Sequence, residues 1–102
     1  MSRILYLAGP VSGDPDHMTT FRNAETAARM KGWVVLNPTM LPKGMEEFQY
    51  LPICIAMLEQ SDAVLALKRW HTSQGAKAEL FYAHKQGKEV YYRMDELPEV
   101  KA

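Results

Sequence analysis

Four short apolar runs set the limits on how this chain folds. Residues 3–8 (RILYLA), 33–36 (WVVL), 63–67 (AVLAL) and 89–92 (EVYY) are each four to six residues long, and the first three carry apolar side chains almost without interruption. Runs of that kind suit strands buried on both faces of a parallel sheet. Between them lie segments with a different period. Residues 19–31 place Phe21, Ala24, Ala27, Ala28 and Met30 at near-helical spacing and close at Gly32, a residue suited to a helix C-terminus. Residues 50–60 (YLPICIAMLEQ) are apolar on nearly every side, as in a helix packed between the sheet and another surface, with Pro52 tolerable in its first turn. Residues 78–85 again carry apolar side chains at helical spacing. Strands alternating with helices over short connections specify an open α/β sheet with right-handed crossovers. The expected architecture is therefore a single three-layer domain, flavodoxin- or Rossmann-like, spanning 1–102 with parallel strands in the order 2-1-3-4.

In that order the first and third strands are neighbours, and the loops at their carboxyl ends flank the switch-point crevice where ligands bind. The loop after the first strand, residues 9–16 (GPVSGDPD), gathers glycines, prolines and small polar residues. It is either a plain turn ahead of a helix capped by Asp16 or Thr19, or a crevice wall presenting backbone N–H groups and the Ser12 hydroxyl. Its glycines do not form the G-x-G-x-x-G dinucleotide fingerprint. The loop after the third strand, residues 70–79 (WHTSQGAKAE), runs into a helix that Ser73 is placed to cap. Gly75 there allows close approach to the first-turn N–H groups, which with the positive end of the helix dipole favour an anion. Glu79 lies six residues past the cap, roughly 9 Å along the axis. An acid and an anion cradle then share one crevice at the scale of a sugar phosphate; the competing reading makes Ser73 a cap and Glu79 a solvated residue near a helix start.

Charge and composition narrow the partners. Twelve basic and twelve acidic residues cancel, so no overall field recruits a nucleic acid polymer or a membrane. Cys54 is the only cysteine, and the chain shows no signal segment and no apolar run long enough to span a bilayer. A reducing cytoplasm is the expected location. His17, His71 and His84 are far apart and no metal motif is present, so neither a metal nor another cofactor is expected. Residues 39–48 read as an irregular lid, and the charged, Pro-containing segment 93–102 as a short arm or frayed end.

Taken together, Leu5-Tyr6-Leu7-Ala8-Gly9-Pro10-Val11-Ser12-Gly13, Leu36-Asn37-Pro38, Ser61-Asp62-Ala63-Val64 and the stretch from Trp70 to Glu79 resemble the nucleoside 2-deoxyribosyltransferase-like superfamily. The likeness is to its compact branch, frequent in phage and prophage genomes and catalogued as a domain of unknown function (4406). The resemblance implies that Glu79 is the nucleophile that attacks the anomeric carbon of a nucleoside or its 5′-phosphate. It implies that Ser73 helps bind the 5′-phosphate, that Tyr6 hydrogen-bonds the nucleophile, and that Gly9, Ser12 and Gly13 line the sugar and phosphate region. Departure of a nucleobase passes through an oxocarbenium-like state, which a carboxylate stabilises or traps covalently. The resemblance further implies a homo-oligomer whose pocket is closed by a neighbouring copy.

One departure stands out. Eight residues before Asp62, where active relatives carry an acid that protonates or positions the leaving base, this chain has Cys54. A thiol is a poor general acid for that task. Two readings follow: an N-glycosidase or deoxyribosyltransferase in which Asp14, Asp16, His17 or the substrate itself supplies the proton, with hydrolysis preferred over transfer, or a non-catalytic nucleotide-binding protein that senses or sequesters its ligand.

Overall fold

A computed structural model describes residues 2–101. Its elements run β1 (Ile4–Ala8), α1 (His17–Met30), β2 (Val34–Leu36), α2 (Glu47–Glu59), β3 (Ala63–Ala66), α3 (Gln74–Lys85) and β4 (Glu89–Tyr91). Single turns of 3-10 helix occupy Pro38–Met40, Trp70–Thr72 and Met94–Glu96. All strand pairs are parallel, and the order is β2-β1-β3-β4, as the sequence implies.

The two-residue period of β1 divides the core. Leu5 and Leu7 point into a cluster with Phe21, Ala24 and Ala28 of α1 and with Trp33 and Leu97. Tyr6 and Ala8 point to the other face, into a cluster with Leu58 of α2 and Leu80 and Ala83 of α3. The alternation delivers one tyrosine, in register with Leu36 on one side and Val64 on the other, to the face that carries α3.

Helix starts fall earlier than the apolar period indicates. The first helix begins at His17, with Asp16 as N-cap but no side-chain cap bond. The second begins at Glu47 because Glu46 and Gln49 form a reciprocal capping box. That early start moves Pro52 beyond the first turn, where its ring nitrogen cannot donate to the Phe48 carbonyl. Among the described residues of α2, Leu58 alone is fully buried, while Phe48, Leu51 and Ile53 are exposed. The described residues leave this side of the helix uncovered.

The tail is not a frayed arm. Leu97 is buried in the α1-side cluster. The Lys31 ammonium donates to the carbonyls of Met94 (2.9 Å) and Leu97 (2.8 Å), and the Trp33 indole N–H donates to that of Pro98 (2.8 Å). The Val100 N–H donates to the Lys31 carbonyl at 2.7 Å. Gly32 makes this possible: its φ is +95°, and a Cβ there would lie 2.2 Å from the Val100 carbonyl oxygen. Composition of the tail hides all this, because most of the groups that hold it belong to the α1–β2 corner. Among the described residues, no helix is long and apolar enough to cross a membrane.

Candidate functional site

β1 and β3 end at the same edge of the sheet, and the loops that follow them wall a crevice of about 540 Å3. Its floor is a buried pair. The Tyr6 hydroxyl donates to Glu79 Oε2 at 2.6 Å, across an interval of 73 residues in sequence. Glu79 is only 8% exposed. Burial pushes its carboxyl up to about 7, with the Tyr6 hydrogen bond pulling the other way. Burial, and then the charge of Glu79, hold the Tyr6 phenol far above its ordinary range, so Tyr6 is a permanent donor. Near neutrality the pair therefore alternates between a poised carboxylate and a neutral acid.

Cys54, half-buried on α2, also lines the crevice. Burial raises its thiol, the polar Tyr6 hydroxyl lowers it, and the charge of Glu79 raises it further. The net shift is upward, so a thiolate is disfavoured.

The start of α3 forms one wall. Ser73 is the N-cap, its Oγ accepting from the Ala76 N–H at 3.1 Å. That bond uses an acceptor lone pair and leaves the hydroxyl proton for another partner. The amides of Gln74 and Gly75 belong to the first turn, which has no intrahelical carbonyl for them, and both residues line the crevice. A Cβ on Gly75 would have only the Ser73 Oγ within 4 Å, at 3.9 Å, so packing does not demand a glycine there and the space over these amides stays open.

Gly9 and Ser12 line the opposite wall. Gly9 is also a packing glycine, since a Cβ would lie 3.0 Å from Leu67 Cβ and 3.4 Å from the Phe21 ring. Gly13, grouped with them on sequence, is not among the lining residues; its φ of +79° makes it a turn residue. Tyr6, Gly9, Ser12, Ser73, Gly75 and Glu79 are thus brought together, and Gly13 stands apart.

The segment 39–48, read from sequence as an irregular lid, supplies much of a further wall. Thr39, Lys43 and Met45 follow β2, while Glu47 and Tyr50 share the face of α2 that carries Cys54. Asn37, read as part of a strand-ending Asn-Pro, anchors this wall: its Oδ1 accepts from the Thr39 N–H (2.9 Å) and hydroxyl (2.7 Å), and its Nδ2 donates to Glu25 (3.0 Å). The Tyr50 hydroxyl ties the wall to α2 by donating to the Pro42 carbonyl at 2.6 Å. A usable signal existed in the i, i+3, i+7 spacing of Glu47, Tyr50 and Cys54, but only once the helix start was placed. Outside the crevice lining Arg69, at a left-handed φ of 65°, lies 3.9 Å from Asp14 and links the loops after β1 and β3. Among the described residues, no group of three or more His, Cys, Asp or Glu is arranged to hold a metal ion.

The profile of the family described as Domain of unknown function (DUF4406) matches residues 3–92. The fold is similar to that of a solved structure described as 2-desoxiribosyltransferase from Leishmania mexicana, with a TM-score of 0.69 and 26% identity. That similarity covers 86% of this chain and 61% of the other, so this chain spans about three-fifths of the length of the protein it resembles. No curated protein matches the sequence.

Proposed function

This chain belongs to the DUF4406 family, within the nucleoside 2-deoxyribosyltransferase-like superfamily, and we propose that its crevice cleaves the N-glycosidic bond of a nucleoside or nucleoside 5′-monophosphate. The observation that carries this reading is the buried Tyr6–Glu79 pair at the floor of a crevice whose wall is the first turn of α3. In the proposed reaction Glu79, as carboxylate, attacks C1′ while the bond to the base breaks; Tyr6 orients the oxygen it is bonded to. The Ser73 hydroxyl and the Gln74 and Gly75 amides take the 5′ end of the sugar, with Ser12 facing them. Hydrolysis is the preferred outcome, because transfer requires a second base to be held in place of water.

The test is release of free base from a panel of deoxynucleosides and their 5′-monophosphates. Wild-type turnover is expected to rise with pH through about 7, where Glu79 ionises. Glu79→Gln is expected to lose about 10⁴-fold or more; equal turnover by that variant rejects the assignment. Calorimetric binding of a nucleotide with no product after long incubation favours the sensing or sequestering alternative, which the thiol at Cys54 motivates.

The same reading includes a homo-oligomer. Phe48, Leu51 and Ile53 on α2 are exposed apolar residues on the helix that also lines the crevice. A second copy covering them would shield both. Light scattering is expected to give a dimer or larger, dissociated by Leu51→Asp; a monomeric wild type removes the claim.

A further inference from the structure

We infer that His17 is the general base that takes the proton from water in the second half of the proposed reaction, and so directs the crevice to hydrolysis. The inference rests on Glu79 acting as nucleophile. The sequence leaves Asp14, Asp16 and His17 open as sources of the leaving base's proton, and their positions separate them for any proton transfer in the crevice. Asp14 turns inward: one carboxylate oxygen accepts from the Asp16 N–H at 2.9 Å and the other lies 3.9 Å from Arg69. Neither Asp14 nor Asp16 lines the crevice, whereas His17 does. Glu47 also reaches the crevice but is exposed at the start of α2.

The ring of His17 is half-buried and fixed. Its Nδ1 lies 2.9 Å from the Asp14 carbonyl oxygen, and a carbonyl can only accept, so Nδ1 carries the hydrogen. The neutral ring is then left with its lone pair on Nε2, and no described residue hydrogen-bonds that nitrogen. The Asp14 carbonyl also accepts from the His17 N–H at 3.2 Å, and Arg69 holds the same aspartate from the facing loop. A base is thereby anchored on one wall with Glu79 in the floor of the same crevice.

The steps balance as follows. In the first, a Glu79 oxygen bonds to C1′, and the C1′–N bond breaks with its electron pair going to the nucleobase, which takes a proton from solvent. In the second, the water oxygen bonds to C1′ as His17 Nε2 removes the water proton. The ester bond to Glu79 breaks with its pair returning to the carboxylate, and the imidazolium releases its proton to solvent.

The two halves can be read separately with His17→Gln and His17→Asn. The asparagine amide can keep the hydrogen bond to the Asp14 carbonyl while lacking the base, so both variants should melt within a few degrees of wild type. The expected result is a steady-state loss of about 10²-fold or more, accumulation of one sugar adduct on Glu79 by mass spectrometry, and recovery of turnover by azide, a nucleophile that needs no deprotonation. Wild-type turnover by both variants overturns the inference. So does a loss without adduct and without azide recovery, which would place the defect before the second step. If the wild-type protein releases no base from any substrate, the proposed activity fails and takes this role with it; if it releases base and Glu79→Gln is inert, the His17 result stands on its own.

Discussion

The two faces of the sheet are built to different ends. On the α1 face, β1 contributes Leu5 and Leu7, the tail folds back over the edge, and Leu97 completes an apolar cluster. Its polar groups near the surface are matched in pairs, with the Lys31 ammonium and the Trp33 indole each meeting tail carbonyls. On the α2/α3 face, the same strand contributes Tyr6, whose hydroxyl is spent on the buried carboxylate at the floor of the crevice. One face gains stability from ordinary apolar burial. The other carries a titrating acid, a raised thiol and an apolar helix surface left open, features that cost stability unless a ligand or partner uses them.

The sharpest way to break this contrast is at the tail. Leu97→Ala removes a buried leucine from the closed face and is expected to cost about 2–5 kcal/mol in denaturant unfolding; a loss under about 1 kcal/mol would mean that the tail is decoration. Glu79→Gln should act in the opposite direction. A carboxyl raised from 4.5 to about 7 keeps its proton in the folded chain after the unfolded chain has lost it. Folding stability therefore falls as pH rises between those values and stays low above them. Replacing the acid removes that penalty, so the variant should be more stable than wild type at pH 8 by up to roughly 3 kcal/mol, with little gain at pH 4. Equal stability at both pH values would show that the buried acid costs nothing.

Tyr6→Phe sharpens the comparison within the site. The lost hydroxyl should cost about 1–2 kcal/mol. Because that hydrogen bond lowers the Glu79 pKa, its loss should move the rising limb of activity to higher pH than in wild type. A limb that stays in place or moves down would disconnect Tyr6 from the acid.

The strand order and helix sequence were legible because short apolar runs and helical periods are local signals. The meeting of Tyr6 and Glu79 was not readable from spacing, since it joins residues 73 apart; family resemblance pointed to it, and the alternation along β1 supplies the physical reason. Ser73 was legible as a cap through residue type alone. Gly13, which the resemblance sets beside Gly9 and Ser12, has a φ of +79°, a turn conformation that residue type alone does not distinguish from a place of ligand approach. The course of the tail is not legible in its own residues, because charge and proline describe the segment itself, whereas Lys31, Gly32 and Trp33 decide where it lies. Thr39 and Lys43 lie in the segment legible as a lid, but their individual places depend on Asn37, whose amide organises the chain after β2 through bonds that its Asn-Pro signature does not announce.

Ser73 and Glu79 sit on one uninterrupted helix, the first as its cap and the second within its second turn. Their spacing is therefore written into bond lengths and the helical pitch. Movements of the surrounding loops can widen or narrow the entrance, yet they cannot alter this gauge. Whatever enters between them is measured against a fixed scale.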